Sequence, residues 1–181
     1  MTSATPDAST APVLILLHGA GGNQAMWNPV RHHLDPRWRV VALDLPGHGS
    51  KSDGHYTLEG AVETVAAEVR RLAPARVVLV GDSLGGYSSM ASAWAIPPER
   101  IAGLAIGGCT QNITGKTLRQ LRTRKFMMRV MAALLGPKRL VAKSREALVK
   151  KGLMGREDAD ALVAGGLRLA AWGEAVDDNR E

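Results

Sequence analysis

One stretch of this 181-residue chain carries residues that could do covalent chemistry: Gly81-Asp82-Ser83-Leu84-Gly85-Gly86. Its pattern is Gly-x-Ser-x-Gly. Val77 to Val80 just before it is a short apolar run rich in β-branched residues, which predicts a buried parallel strand. Small and apolar residues recur at helical spacing from Leu84 to about Ala95, until Pro97-Pro98 ends the run. Strand, sharp turn and helix together are the setting of a nucleophile elbow. In such a turn Ser83 is expected at positive φ, a strain of about 1–3 kcal/mol. Gly81 and Gly85 would flank it because side chains there would collide as strand and helix approach. The Leu84 amide, at the helix N-terminus, would point at a developing oxyanion. The chemistry is acyl transfer through the serine oxygen. From the pattern alone, a glycine-rich turn with an idle serine reads the same way.

A serine hydroxyl is a poor nucleophile without a base. All five histidines (His18, His32, His33, His48 and His55) precede Ser83, and none follows it. Cys109 is the single cysteine, so no disulfide or cysteine-based metal site can form within the chain. That usage fits a reducing compartment, and a small buried thiol is the expectation for it. No His, Cys and carboxylate cluster has metal-ligand spacing. The glycine loops lack the Lys-Ser/Thr of a phosphate cradle. Neither a cofactor nor a metal is expected.

The elements that must position Ser83 follow from the apolar pattern. With 45% apolar and 22% charged residues, one globular domain is expected rather than a disordered chain. Residues 1–12 read as a loose tail without the basic start or apolar stretch of a signal peptide. No run is long enough to span a bilayer, and a cytoplasmic protein is expected. Val13 to Leu17 is apolar throughout and predicts a central strand. It runs into His18-Gly19-Ala20-Gly21-Gly22-Asn23, a glycine cluster where open α/β sheets place ligands. Pro29 to Leu34 suits the start of a helix. Arg39 to Leu45 predicts a second strand that ends in the turn-rich loop Asp44-Leu45-Pro46-Gly47-His48-Gly49-Ser50. Leu58 to Leu72 is amphipathic and helical, and Ile101 to Gly107 predicts a fourth strand. Strands alternating with helices imply a parallel sheet with right-handed crossovers.

Composition changes after Cys109. Between Lys116 and Lys151 lysines and arginines crowd the chain, with Glu146 as the only acid. Interleaved leucines and methionines predict two amphipathic helices broken at Gly136-Pro137, with a further helix over Arg156 to Trp172. The basic run reads as a solvated face with snorkelling stems, as a cap with a Met-rich apolar underside, or as a nucleic-acid or membrane surface. The chain's formal charge of +6 is concentrated here, and no nucleic-acid motif accompanies it.

HGAGG after the first strand, DLPGHGS after the second and GDSLGG after the third together resemble the α/β-hydrolase superfamily, of the type with a helical cap after the fourth of these strands. The resemblance runs from Val13 to about Gly108 and continues more weakly to about Trp172. It implies an α/β-hydrolase core over 13–110, a cap-like segment over 111–172 and a polar tail over 173–181. It implies a serine hydrolase of carboxylic esters, thioesters or lactones, with Ser83 as nucleophile. The backbone N–H groups of Leu84 and Ala20 would form the oxyanion hole, with Gly21 as alternative donor. His18 and His48 would be structural, like Gly19, Gly81 and Gly85. The substrate would be a small acyl compound, with no nucleic acid and no membrane span.

The family's order is Ser, then acid, then His. The acid is unassigned here, and the histidine has no counterpart within these residues. The chain is therefore expected to be a C-terminally truncated copy lacking the last two strands. The alternative is a truncated or degenerate, catalytically weak protein that at most binds a ligand or partner, and a third reading is a basic scaffold. With about four strands, the Ile101 strand would be an edge. Self-association through that edge, or its covering by the Arg156–Trp172 helix, is expected.

Overall fold

Runs of leucine and β-branched residues too short for helices become four strands of one parallel sheet: β1 (Val13–Leu17), β2 (Arg39–Leu43), β3 (Val77–Asp82) and β4 (Ile101–Gly107). The computed structural model describes residues 11–109 and 116–167. The strand order is β2-β1-β3-β4. β1 pairs with β2 and β3 in unbroken register, Ile15 facing Val41 on one side and Leu79 on the other. The β3–β4 pairing slips at Val77/Val78. The apolar runs of the central strands bury one face fully, while Leu14, Val78 and Val80 on the other face are half-buried. Val13, Ile15, Leu17, Val77 and Leu79 are all buried.

The helices are α1 (Asn28–Arg31), α2 (Leu58–Arg71), α3 (Leu84–Ala95), α4 (Lys116–Leu135), α5 (Pro137–Lys150) and α6 (Arg156–Ala164). Thr57 caps α2, its hydroxyl accepting the Gly60 amide at 3.0 Å. The apolar face of α2 delivers Ala61, Val65 and Val69 to the main core beside Leu45 and Tyr56. α3 packs closely because its inner face is small. Ser88, Ser89 and Ser92 are fully buried. Ser88 and Ser89 return their hydroxyls to the carbonyls of Leu84 and Gly85.

Several expectations need adjustment. β2 stops at Leu43 rather than Leu45, because the Asp44 carboxylate gathers loop amides and turns the chain out of the ladder. The helix expected over Pro29–Leu34 is the single turn α1, preceded by a 3-10 turn over Gln24–Trp27. α6 ends at Ala164, where Gly165 and Gly166 follow and Gly166 takes φ +87°. Residues 168–172 and the expected polar tail lie outside the described residues, as do residues 1–10 of the expected N-terminal tail.

α6 does not serve as the cover for β4. It packs on the Gln24–Trp27 turn, and Leu104 and Ile106 of β4 remain 43% and 44% exposed. The break at Gly136-Pro137 is as predicted. Not all the apolar residues of α4 are turned inward, however: Phe126, Met127 and Leu134 are exposed, while Met128, Val130 and Leu135 are half-buried. Among the described residues, no helix is long and apolar enough to cross a membrane.

Candidate active site

Ser83 sits between β3 and α3 at φ +53°, ψ −114°, the one non-glycine residue with positive φ among those described. The surrounding backbone holds it there. Its N–H donates to the Gly107 carbonyl at 2.8 Å, and its own carbonyl accepts the amides of Gly86 (2.9 Å) and Tyr87 (3.2 Å). The turn is possible only with glycines. A Cβ on Gly81 would land on the Gly85 carbonyl, and one on Gly85 would land on the Leu17 carbonyl. Gly86 is equally constrained, since a Cβ there would occupy the place of the Cys109 sulfur. This third tight glycine was visible in the sequence only as the residue after the motif.

With its backbone so used, half-buried Ser83 keeps its hydroxyl free of hydrogen bonds among the described residues. Leu84 is the first residue of α3, so its N–H has no acceptor within the helix. The Gly19–Asn23 loop lies against the elbow. A Cβ on Gly19 would sit 3.5 Å from both Ser83 Cβ and Asp82 Oδ2. Ala20 follows directly, and its amide takes no partner among the described residues. Gly21 is different, for its N–H is donated to His48 Nε2 at 3.0 Å. The alternative donor of the sequence reading is therefore already committed.

Two buried histidines explain the loop's shape. His18 Nε2 accepts the Leu45 amide at 3.2 Å, and its Nδ1 lies 2.8 Å from the Gly19 carbonyl. His48 Nε2 accepts from Gly21, and its Nδ1 lies 2.9 Å from the Pro46 carbonyl. Each ring thus fits the neutral tautomer with Nδ1 as donor. The loop after β1 reaches the loop after β2 through His18, and the second loop reaches back through His48. The rings lie 5.0 Å apart. Burial is the main cause that lowers the His18 pKa from 6.5 to about 4; His48 also lowers it, while the Gly19 carbonyl and Asp44 work the other way.

Asp44 completes this frame and was not singled out in the sequence. Its Oδ1 accepts the Gln24 amide at 2.7 Å, and its Oδ2 accepts both the amide and the hydroxyl of Ser50 at 2.8 Å. Burial opposes its ionisation, yet the amides of Ser50 and Gln24 outweigh that and hold the carboxyl below its ordinary range. The Asp-to-Ser spacing across Pro46-Gly47-His48-Gly49 was the available signal. Gly49, at φ +52°, has no room for a Cβ because the Asp44 carboxylate occupies that space.

No imidazole reaches the Ser83 hydroxyl among the described residues. His18 and His48 are engaged as above, and His32 pairs with Asp158 at 3.0 Å on the surface. Cys109 donates weakly to the carbonyls of Ser83 (3.3 Å) and Gly107 (3.2 Å). Burial, then the nearby Asp82 charge, pushes its thiol pKa up, which suits packing rather than attack. Among the described residues no group of His, Cys and acids could hold a metal.

Comparison with known proteins bears on the family and the fold. An esterase of Mycobacterium tuberculosis (strain ATCC 25618 / H37Rv) is 38% identical over 100 residues, 54% of this chain and 33% of its own length. A pimeloyl-[acyl-carrier protein] methyl ester esterase of Vibrio vulnificus (strain YJ016) is 40% identical over 75 residues, 41% of this chain and 28% of its own length. The chain spans about a third of the length of the curated relatives it matches. The crystal structure of E-2-(acetamidomethylene)succinate hydrolase superposes with a TM-score of 0.67 at 22% identity, over 95% of this chain and 67% of that one, a likeness of fold. The sequence profile of the Alpha/beta hydrolase family matches residues 14–180. With four parallel strands and a strained serine between the third strand and its helix, this chain belongs to the Alpha/beta hydrolase family.

Proposed function

We propose that the chain carries the nucleophile and oxyanion hole of an enzyme that hydrolyses carboxylic esters or thioesters through an acyl-enzyme on Ser83. The observation that carries this reading is the positive φ of Ser83, a strain of about 1–3 kcal/mol that an idle serine would have no reason to bear. The hydroxyl attacks the acyl carbonyl, the oxyanion is met by the amides of Leu84 and Ala20, and the alcohol or thiol leaves. Water then releases the acid and restores Ser83. Oxyanion donors of this kind are each worth about 10²–10³ in rate. The relatives named as esterases support the substrate class. The acyl group stays at the level of a small ester-type compound, and α4–α6 are read as the cap that selects it.

One observation favours a second reading, a protein that keeps the elbow without a base and at most binds its ligand. No imidazole among the described residues bonds the Ser83 hydroxyl. Loss of the histidine from a triad costs on the order of 10⁶ in kcat, while about 10³–10⁴ over water survives from the oxyanion hole and binding. Turnover of p-nitrophenyl esters separates the two. For an enzyme that includes this chain and a base, the hydrolase reading predicts turnover that Ser83→Ala abolishes. Equal rates for wild type and Ser83→Ala would overturn it.

A further inference from the structure

Asn23 is the residue of the Gly19–Asn23 loop whose side chain leaves that loop. It is 1% exposed, and both ends of its carboxamide are used. Its Oδ1 accepts the Ala25 amide at 3.0 Å, capping the Gln24–Trp27 turn. Its Nδ2 donates to the Leu162 carbonyl at 2.8 Å, across 139 residues of sequence. That carbonyl lies in the last turn of α6, where a helix leaves its carbonyls without internal donors. The Gly166 amide, which would otherwise reach Leu162, goes to Val163 at 3.1 Å, and the Gly165 amide goes to Ala161. One side chain therefore closes the start of one element and the end of another. The fit is tight, for a Cβ on Gly165 would come within 2.9 Å of both Asn23 Oδ1 and Nδ2. Met154, Ala159 and Leu162 pack beside it against Ala25 and Met26.

We propose that Asn23 is the latch that seats α6 on the loop carrying Ala20, so that the helical segment and the oxyanion side of the site are positioned as one unit. The catalytic consequence rests on the reading of Ser83 as nucleophile; the latch itself does not. Asn23 touches no reacting atom and is a positioning residue. When α6 lifts, the Leu162 carbonyl leaves Asn23, and the turn closed by the Gly22 amide on the Gly19 carbonyl loses its buried neighbour.

The discriminating variant is Asn23→Asp. It keeps the oxygen that caps the Gln24–Trp27 turn and replaces the donor with an oxygen facing a carbonyl. Hydrogen exchange by mass spectrometry on the full chain should show α6 amides exchanging about tenfold faster or more, with the 24–27 turn still protected. Gly165→Ala reaches the same latch from the other side without altering the loop. It should likewise speed α6 exchange and should lower the rate of Ser83 phosphonylation by a small fluorophosphonate about threefold or more. Unchanged α6 protection in Asn23→Asp overturns the latch. Should that variant exchange everywhere at once, Gly165→Ala decides in its place. Faster α6 exchange with unchanged phosphonylation overturns the link to the site. A wild-type chain that is not phosphonylated counts against the hydrolase reading and leaves the exchange result standing.

Discussion

The loops around Ser83 and the helices α4–α6 belong to one chain but are held by different physics. Around Ser83 the backbone is fixed by close approach. Three glycines stand where a methyl group would meet backbone or sulfur, and two buried histidines and Asp44 bond loop to loop. α5 and α6 rest on a small apolar cluster, the Asn23 bond, the His32–Asp158 hydrogen bond and the exposed Arg145–Asp160 ion pair, while α4 leaves Phe126 and Leu134 facing outward. Exposed ion pairs add little, typically under about 1 kcal/mol each. A reacting atom needs geometry held to fractions of an ångström. A segment proposed as a cap needs only to be seated, and in α6 the seat is the Asn23 bond.

The largest effect expected on this contrast comes from Gly85→Ala. Its methyl would overlap the Leu17 carbonyl, and neither β1 nor α3 can move aside. A destabilisation of about 3 kcal/mol or more should appear in urea unfolding. A near-silent substitution would mean that the elbow is looser than described.

Acid tests the histidine frame next. His18 is neutral when folded with its pKa lowered to about 4, whereas unfolded it titrates near 6.5. The unfolded chain thus binds the proton first. The stability this group contributes is complete above pH 6.5 and is lost as pH falls toward 4. The loss reaches roughly 3 kcal/mol. Urea midpoints measured from pH 7.5 to 4 should decline through that window, and His18→Asn should flatten the decline. An equal slope in both proteins would show that His18 does not carry it.

The smallest effect is expected in the helical segment. Leu134 is 78% exposed, so Leu134→Ala should shift stability by no more than about 0.5 kcal/mol. A loss of 2 kcal/mol would show that α4 is packed against something and would erase much of the contrast.

What was legible in the sequence divides along the same line. The strands, α3 and the break at Gly136-Pro137 were readable because apolar runs, glycines and prolines act locally. So was Ser83, whose flanking glycines announce the turn. Asn23 and Asp44 were not singled out for what they do. Their distant partners, Leu162 in one case and Gln24 in the other, meet them only once the sheet has folded. The commitment of the Gly21 amide was hidden for the same reason, since nothing near it in sequence points to His48. The outward apolar face of α4 defeats pattern reading because periodicity shows that a face exists, not what meets it.

The proposed function stands on a Ser83 hydroxyl that is free among the described residues and served by the amides of Leu84 and Ala20. Its most direct test is site mapping by mass spectrometry after exposure of the folded chain to a fluorophosphonate. The account predicts that the label falls on Ser83, at least about a hundredfold faster than on the urea-unfolded chain, and disappears in Ser83→Ala. Label spread over surface serines, or a Ser83 rate no greater than in the unfolded chain, would contradict it.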